Sequence, residues 1–145
     1  MLSPYLSQIN SYRAAQTPVK GAILLVEADS VLRESRALLL STFNIPIQKA
    51  AGYCDVCGLS VSTSFSLVAI SLAPNQDEAA TIAAYVRRQW SSAKILLLGK
   101  LQSEFDDPLY DDIVDPWFNP SAFLDASKRL LLAIGANLSS QRESH

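Results

Sequence analysis

The sequence predicts an α/β fold: a doubly wound parallel sheet with helices on both faces. Three observations carry that expectation. Short, continuous apolar runs recur along the chain, at Ile23-Leu24-Leu25-Val26, Leu67 to Leu72 and Ile95 to Leu98. Uninterrupted runs of this length suit strands that are covered on both sides. Between them lie segments of helical period, and strands separated by helices at this spacing pair in parallel through right-handed crossovers. Finally, 145 residues with 49% hydrophobic and 18% charged content describe one domain with a proper core.

The elements follow in chain order. Within residues 1–20, Leu6, Ile9 and Tyr12 have helical spacing behind Ser3-Pro4, a cap and first-turn proline. This reads as a short helix over 4–14 or a frayed arm, closed by Thr17-Pro18. The domain proper spans 21–135. Its first strand, 22–27, stops at acids where a helix begins. That helix, about 30–43, places Leu32, Leu39 and Phe43 on one face, and Asn44 and Pro46 end it. Ile45 to Ala51 is the second strand, followed by a weak, serine-rich helix over 53–62. After the third strand, Leu67 to Leu72, Pro74-Asn75 punctuates the chain, and Asp77 and Glu78 suit a helix start. In the helix they open, Ala79, Ile82, Ala83, Val86 and Trp90 form an apolar stripe. Lys94 to Leu98 is the fourth strand and Ile113-Val114 a short fifth. Asn119-Pro120 caps a last helix that should end before Gly135, leaving 136–145 as a polar tail.

Several function classes are excluded. A net charge of −2 leaves no electrostatic footprint for nucleic acid or an anionic membrane. No apolar run reaches membrane-span length, and the amino terminus lacks the pattern of a secretion signal. The expectation is a cytoplasmic protein with reduced thiols. The single histidine, His145, is the last residue, so no Ser-His-Asp or Cys-His arrangement exists. The five glycines form no phosphate loop.

Other features have two readings each. Cys54-Asp55-Val56-Cys57 provides half a zinc site or a redox pair. No further cysteine or internal histidine completes a zinc site, so the choice lies between redox chemistry and two small core residues. Trp117 and Phe118 suit an interface or wedges that seat the last helix. Glu104, Asp106, Asp107, Asp111 and Asp112 lack the spacing of a calcium loop and read as a solvated acidic loop. Arg87 and Arg88 read as the exposed face of an amphipathic helix. No cofactor, metal or catalytic residue is expected.

Three stretches in order carry a family resemblance: Val26-Glu27-Ala28-Asp29 with Arg33 following, Leu67-Val68-Ala69-Ile70-Ser71-Leu72-Ala73-Pro74, and Asp111-Asp112-Ile113-Val114 with Phe118-Asn119-Pro120. Over roughly 21–135 the chain resembles the receiver domain of response regulators, the CheY-like superfamily. The resemblance implies a flavodoxin-like sheet of strand order 2-1-3-4-5. It also implies a phosphorylation site: an acceptor aspartate, an acidic pair for Mg²⁺, a hydroxyl after strand four and a lysine after strand five. Here the acceptor position is Ser71, and serine is a poor nucleophile without an adjacent base. The acidic pair is Glu27 and Ala28, since Asp29 lies one step further and should cap the next helix. The hydroxyl position is Gly99, and the lysine falls on Asp115 or Pro116. Lys100 reads as a solvated loop residue. Four of the five positions that carry the chemistry are altered, so the chain looks like a pseudo-receiver.

The stretch from Gly99 to Asp111 is more than a helical turn shorter than in ordinary receivers, and Asp106-Asp107-Pro108 interrupts it. The fourth helix of the family should be missing or reduced to a single turn. The expected function is that of a stand-alone, non-enzymatic domain in a bacterial-type two-component pathway. It would act on a protein partner or as a homodimer through the face of strand five and the last helix, beside Trp117 and Phe118. The alternatives are an active atypical receiver, phosphorylated at Glu27, Asp29 or Ser71, and a thiol-redox or small-ligand domain that uses Cys54 and Cys57.

Overall fold

In the computed structural model of the chain, residues 21–103, 109–117 and 119–143 are described, with side chains as far as Ala133. The expected helix over 4–14, Asp106-Asp107-Pro108 and Phe118 lie outside these residues. The strands are β1 (Ala22–Val26), β2 (Ile47–Ala50), β3 (Phe65–Ser71), β4 (Lys94–Leu98) and β5 (Asp112–Val114). All pair in parallel, in the order β2-β1-β3-β4-β5. The helices are α1 (Ser30–Leu40), α2 (Tyr53–Cys57), α3 (Gln76–Gln89) and α4 (Pro120–Glu143), with a 3₁₀ turn at Ser41–Phe43 after α1.

The period-two alternation of the strands divides the core into two layers. Leu24, Val26, Val68, Ile70, Ile95 and Leu97 face one way, onto Val56 of α2 and the α3 stripe of Ala79, Ile82, Ala83 and Val86. Ile23, Leu25, Leu67, Ala69, Leu96 and Leu98 face the other way, onto Leu40 of α1 and Phe123, Ala126 and Leu130 of α4. Both faces of the central strands are dry, which explains why their sequences do not alternate with polar residues.

Side-chain caps set the helix starts. Asp29 accepts from the amides of Val31 and Leu32, Asn75 from those of Asp77 and Glu78, and Asn119 from that of Ala122. Each satisfies amide donors that the first helical turn leaves open.

Three local expectations are corrected. The helix expected over 53–62 stops at Cys57, because Gly58 ends it and Ser60 turns the chain, accepting from the Ser62 amide at 3.2 Å. Local side-chain bonds of this kind compete with helix. The last helix does not end before Gly135 but runs to Glu143. Glycine inside a helix costs about 1 kcal/mol relative to alanine, and the good helix formers Leu130 to Ala133 and Ala136 offset it. Arg87 is not a solvated surface residue. It donates to the carbonyls of Leu109 (3.1 Å) and Ala93 (3.0 Å) and to Asp111 (2.8 Å), tying the approach of β5 to α3 and β4. The described residues between β4 and β5, 99–103 and 109–111, form no helix.

Candidate functional site

The register of the sheet brings the ends of four strands together. Val26 lies beside Ile70, Ser71 beside Leu98, and Leu98 beside Val114. The residues that follow these strands open onto one cleft of about 630 Å³ at the carboxyl edge. Glu27, Ala28, Ser71, Gly99 and Asp115 all line it, whereas Pro116 does not. Position in a parallel sheet makes this edge the usual ligand-binding region.

Glu27 is only 2% exposed and forms an ion pair with Arg36 of α1, itself 6% exposed. The pair joins Glu27 Oε1 to Arg36 Nη1, while Glu27 Oε2 accepts from the Asp29 amide at 3.0 Å. Arg33 donates to the backbone carbonyls of Glu27 (2.8 Å) and Ala28 (3.3 Å). Burial holds the Arg36 guanidinium below its usual pKa, and the charges of Glu27, Asp115 and Asp29 oppose that shift. Three carboxylates therefore share the field of one buried cation. Both oxygens of Glu27, the acid that the resemblance places at Mg²⁺, are already engaged.

The donor set does not fit that metal. Mg²⁺ requires a near-octahedral set of oxygen ligands, one or two of them carboxylates. Here one carboxylate is held by a guanidinium, its neighbour is Ala28, and the next strand end carries the neutral Ser71. Among the described residues, no three His, Cys, Asp or Glu side chains gather into a metal-binding group.

The remaining positions are equally local. Ser71 Oγ lies 3.4 Å from both the amide nitrogen and the carbonyl oxygen of Ala73, bonds within its own turn. Gly99 has φ +129°, a conformation that side chains rarely adopt, and its amide donates to the Val114 carbonyl at 2.7 Å. The backbone itself therefore opposes a serine or threonine there. Asp115 Oδ1 accepts from the Trp117 amide at 3.1 Å, which leads the chain toward α4. Trp117 is 69% exposed and borders the cleft, as does Lys100.

One expectation from the sequence concerns side chains away from the cleft. Cys54 and Cys57 are both exposed rather than packed in the core. Val56 takes the buried position on α2, because a five-residue helix turns only one narrow side inward. The residue that sequence reasoning missed is Arg36. Its signal was a basic residue at helical spacing from Leu32 and Leu39, on the stripe that α1 turns to the sheet.

No protein-family model and no curated protein sequence matches the chain. Solved structures do. Response regulator protein TrrA from Thermotoga maritima, in complex with Mg²⁺-BeF, is 22% identical with a TM-score of 0.66, covering 76% of this chain and 98% of its own. The signal receiver domain of an HD domain-containing protein from Pseudomonas fluorescens Pf-5 is 19% identical with a TM-score of 0.69, covering 80% and 98%. A complex of histidine kinase ThkA with TrrA matches at 23% identity and a TM-score of 0.64, covering 77% and 98%. The fold is that of CheY-like receiver domains, with the flavodoxin-like strand order.

Proposed function

We propose that the chain is a pseudo-receiver, which serves two-component-type signalling by protein–protein contact and accepts no phosphoryl group at its carboxyl edge. One observation carries this reading: the buried Arg36–Glu27 pair stands where a receiver needs a free carboxylate for a divalent cation. The pair is internal, so the acid is neutralised without any ligand. Ser71 is a neutral hydroxyl bonded within its own turn, Gly99 lacks a hydroxyl, and Asp115 carries the charge opposite to the cation expected there. A histidine kinase complex of a protein with the same fold supports protein contact as the mode of action. The exposed indole of Trp117, beside β5 and α4, is the candidate contact for a partner or a second copy.

The test is incubation with small phosphodonors and Mg²⁺, followed by intact-mass measurement at neutral pH, with beryllofluoride titrated in parallel. Neither a phosphoryl adduct nor a beryllofluoride-dependent spectral change is expected. A stoichiometric, acid-labile phosphoryl group would overturn the reading in favour of an active atypical receiver.

A further inference from the structure

The signalling reading leaves the two cysteines unused, and their placement is unusual. Unpaired cysteine ranks among the most buried residue types, yet both thiols of this chain are exposed. They occupy positions three apart on α2, whose helical bonds run from the Val56 amide to the Gly52 carbonyl and from the Gly58 amide to the Cys54 carbonyl, each 3.2 Å. Residues three apart on a helix share a face. Helix geometry sets their Cα atoms ~5 Å apart, inside the ~4.4–6.8 Å that a disulfide spans. The chain has two cysteines in all, so an oxidised monomer can close only this bridge.

The surroundings hold the pair in place. The Tyr53 amide donates to Glu78 at 2.9 Å, the Ala51 amide to Asp55 at 2.8 Å, and the Tyr53 ring meets Tyr85 edge-on at 6.0 Å. Tyr53 precedes Cys57 by four residues, one turn of α2. Hydrogen bonding to Cys57 and the charge of that sulfur raise the Tyr53 pKa.

We propose that Cys54 and Cys57 form a reversible dithiol–disulfide site, oxidised by low-molecular-weight disulfides such as glutathione disulfide. The site is independent of the carboxyl-edge cleft. One of the two thiolates attacks one sulfur of the small disulfide. Its S–S bond breaks and one small thiolate leaves. The other thiolate then attacks the protein sulfur of the mixed disulfide, that bond breaks, and the second small thiolate leaves. The protein thiols lose two electrons and two protons, and the small disulfide takes up both as two thiols.

The experiment uses the full chain, equilibrated in glutathione buffers of graded thiol-to-disulfide ratio, acid-quenched, alkylated with N-ethylmaleimide and weighed intact. The expected product has lost two hydrogens, takes no alkylating agent and reverts with dithiothreitol. Its fraction rises from near zero to near one across the series. Cys54→Ser and Cys57→Ser variants stop at the glutathione adduct. Wild-type protein that gives only glutathione adducts, or stays reduced across the whole series, overturns the proposal.

Discussion

Glu27 and Arg36 are nine residues apart in sequence and meet inside the protein because α1 leans its first turns over the end of β1. A buried ion pair adds little stability over an apolar pair, but removing one partner costs about 3–5 kcal/mol, since the other charge stays buried and unpaired. Arg36→Met should therefore destabilise the protein by roughly that amount in urea unfolding. The double variant Glu27→Leu with Arg36→Met should recover most of the loss. Equal destabilisation of single and double variants would show that packing, not charge, dominates there. Gly99 makes a separate prediction. Its φ is +129°, and a side-chain Cβ at this position would lie 3.4 Å from the Leu72 Cβ. Gly99→Thr should therefore cost about 1–3 kcal/mol. Thermal denaturation reads this directly, and a neutral effect would mean that the loop can reset its backbone. Exposure also changes the expectation for the thiols: replacing Cys54 and Cys57 by alanine should alter stability by no more than about 0.5 kcal/mol.

Among the elements, β5 depends most on side chains. It is three residues long, sits at the sheet edge and is only half-buried. Arg87 anchors its approach from α3, and Arg129 of α4 forms an ion pair with Asp112. Arg87→Ala should raise amide hydrogen exchange at Ile113 and Val114 while leaving Leu24 and Val68 protected. Uniformly faster exchange would place β5 in the same cooperative unit as the central strands. The elements themselves are largely legible in the sequence. Apolar runs locate the three central strands, and Asp29, Asn75 and Asn119 mark the starts of α1, α3 and α4, because those signals are local. What is illegible depends on tertiary neighbours. Which side of α2 faces inward decides that Val56 is buried and the cysteines are not. The Arg36–Glu27 pair exists only once α1 has packed on the sheet. The length of α4 escapes a sequence reading because Gly135 is a strong local stop that the surrounding helix formers override.

At the scale of the whole molecule, two dry layers on one sheet bind the described residues into a single packing unit. No helix among the described residues is long and apolar enough to cross a membrane. If contact through the β5–α4 face carries the signal, association should be constitutive, unaffected by Mg²⁺ or phosphodonor. Sedimentation of the intact chain and of Trp117→Ala checks this: self-association or partner binding should weaken in the variant, and identical behaviour of the two would remove Trp117 from the interface. The buried Arg36–Glu27 pair has a further consequence, for any redesign of this edge. A receiver-type metal site at this edge would require at least an acid at Ala28, an aspartate at Ser71 and the loss of Arg36. A domain has only about 5–15 kcal/mol of stability in total. Losing the arginine alone would take about 3–5 kcal/mol from that reserve, and added acids would crowd a cluster whose one buried cation is already shared. A designed metal site there therefore has to replace the ion pair as a unit, since losing the arginine alone leaves Glu27 buried and unpaired.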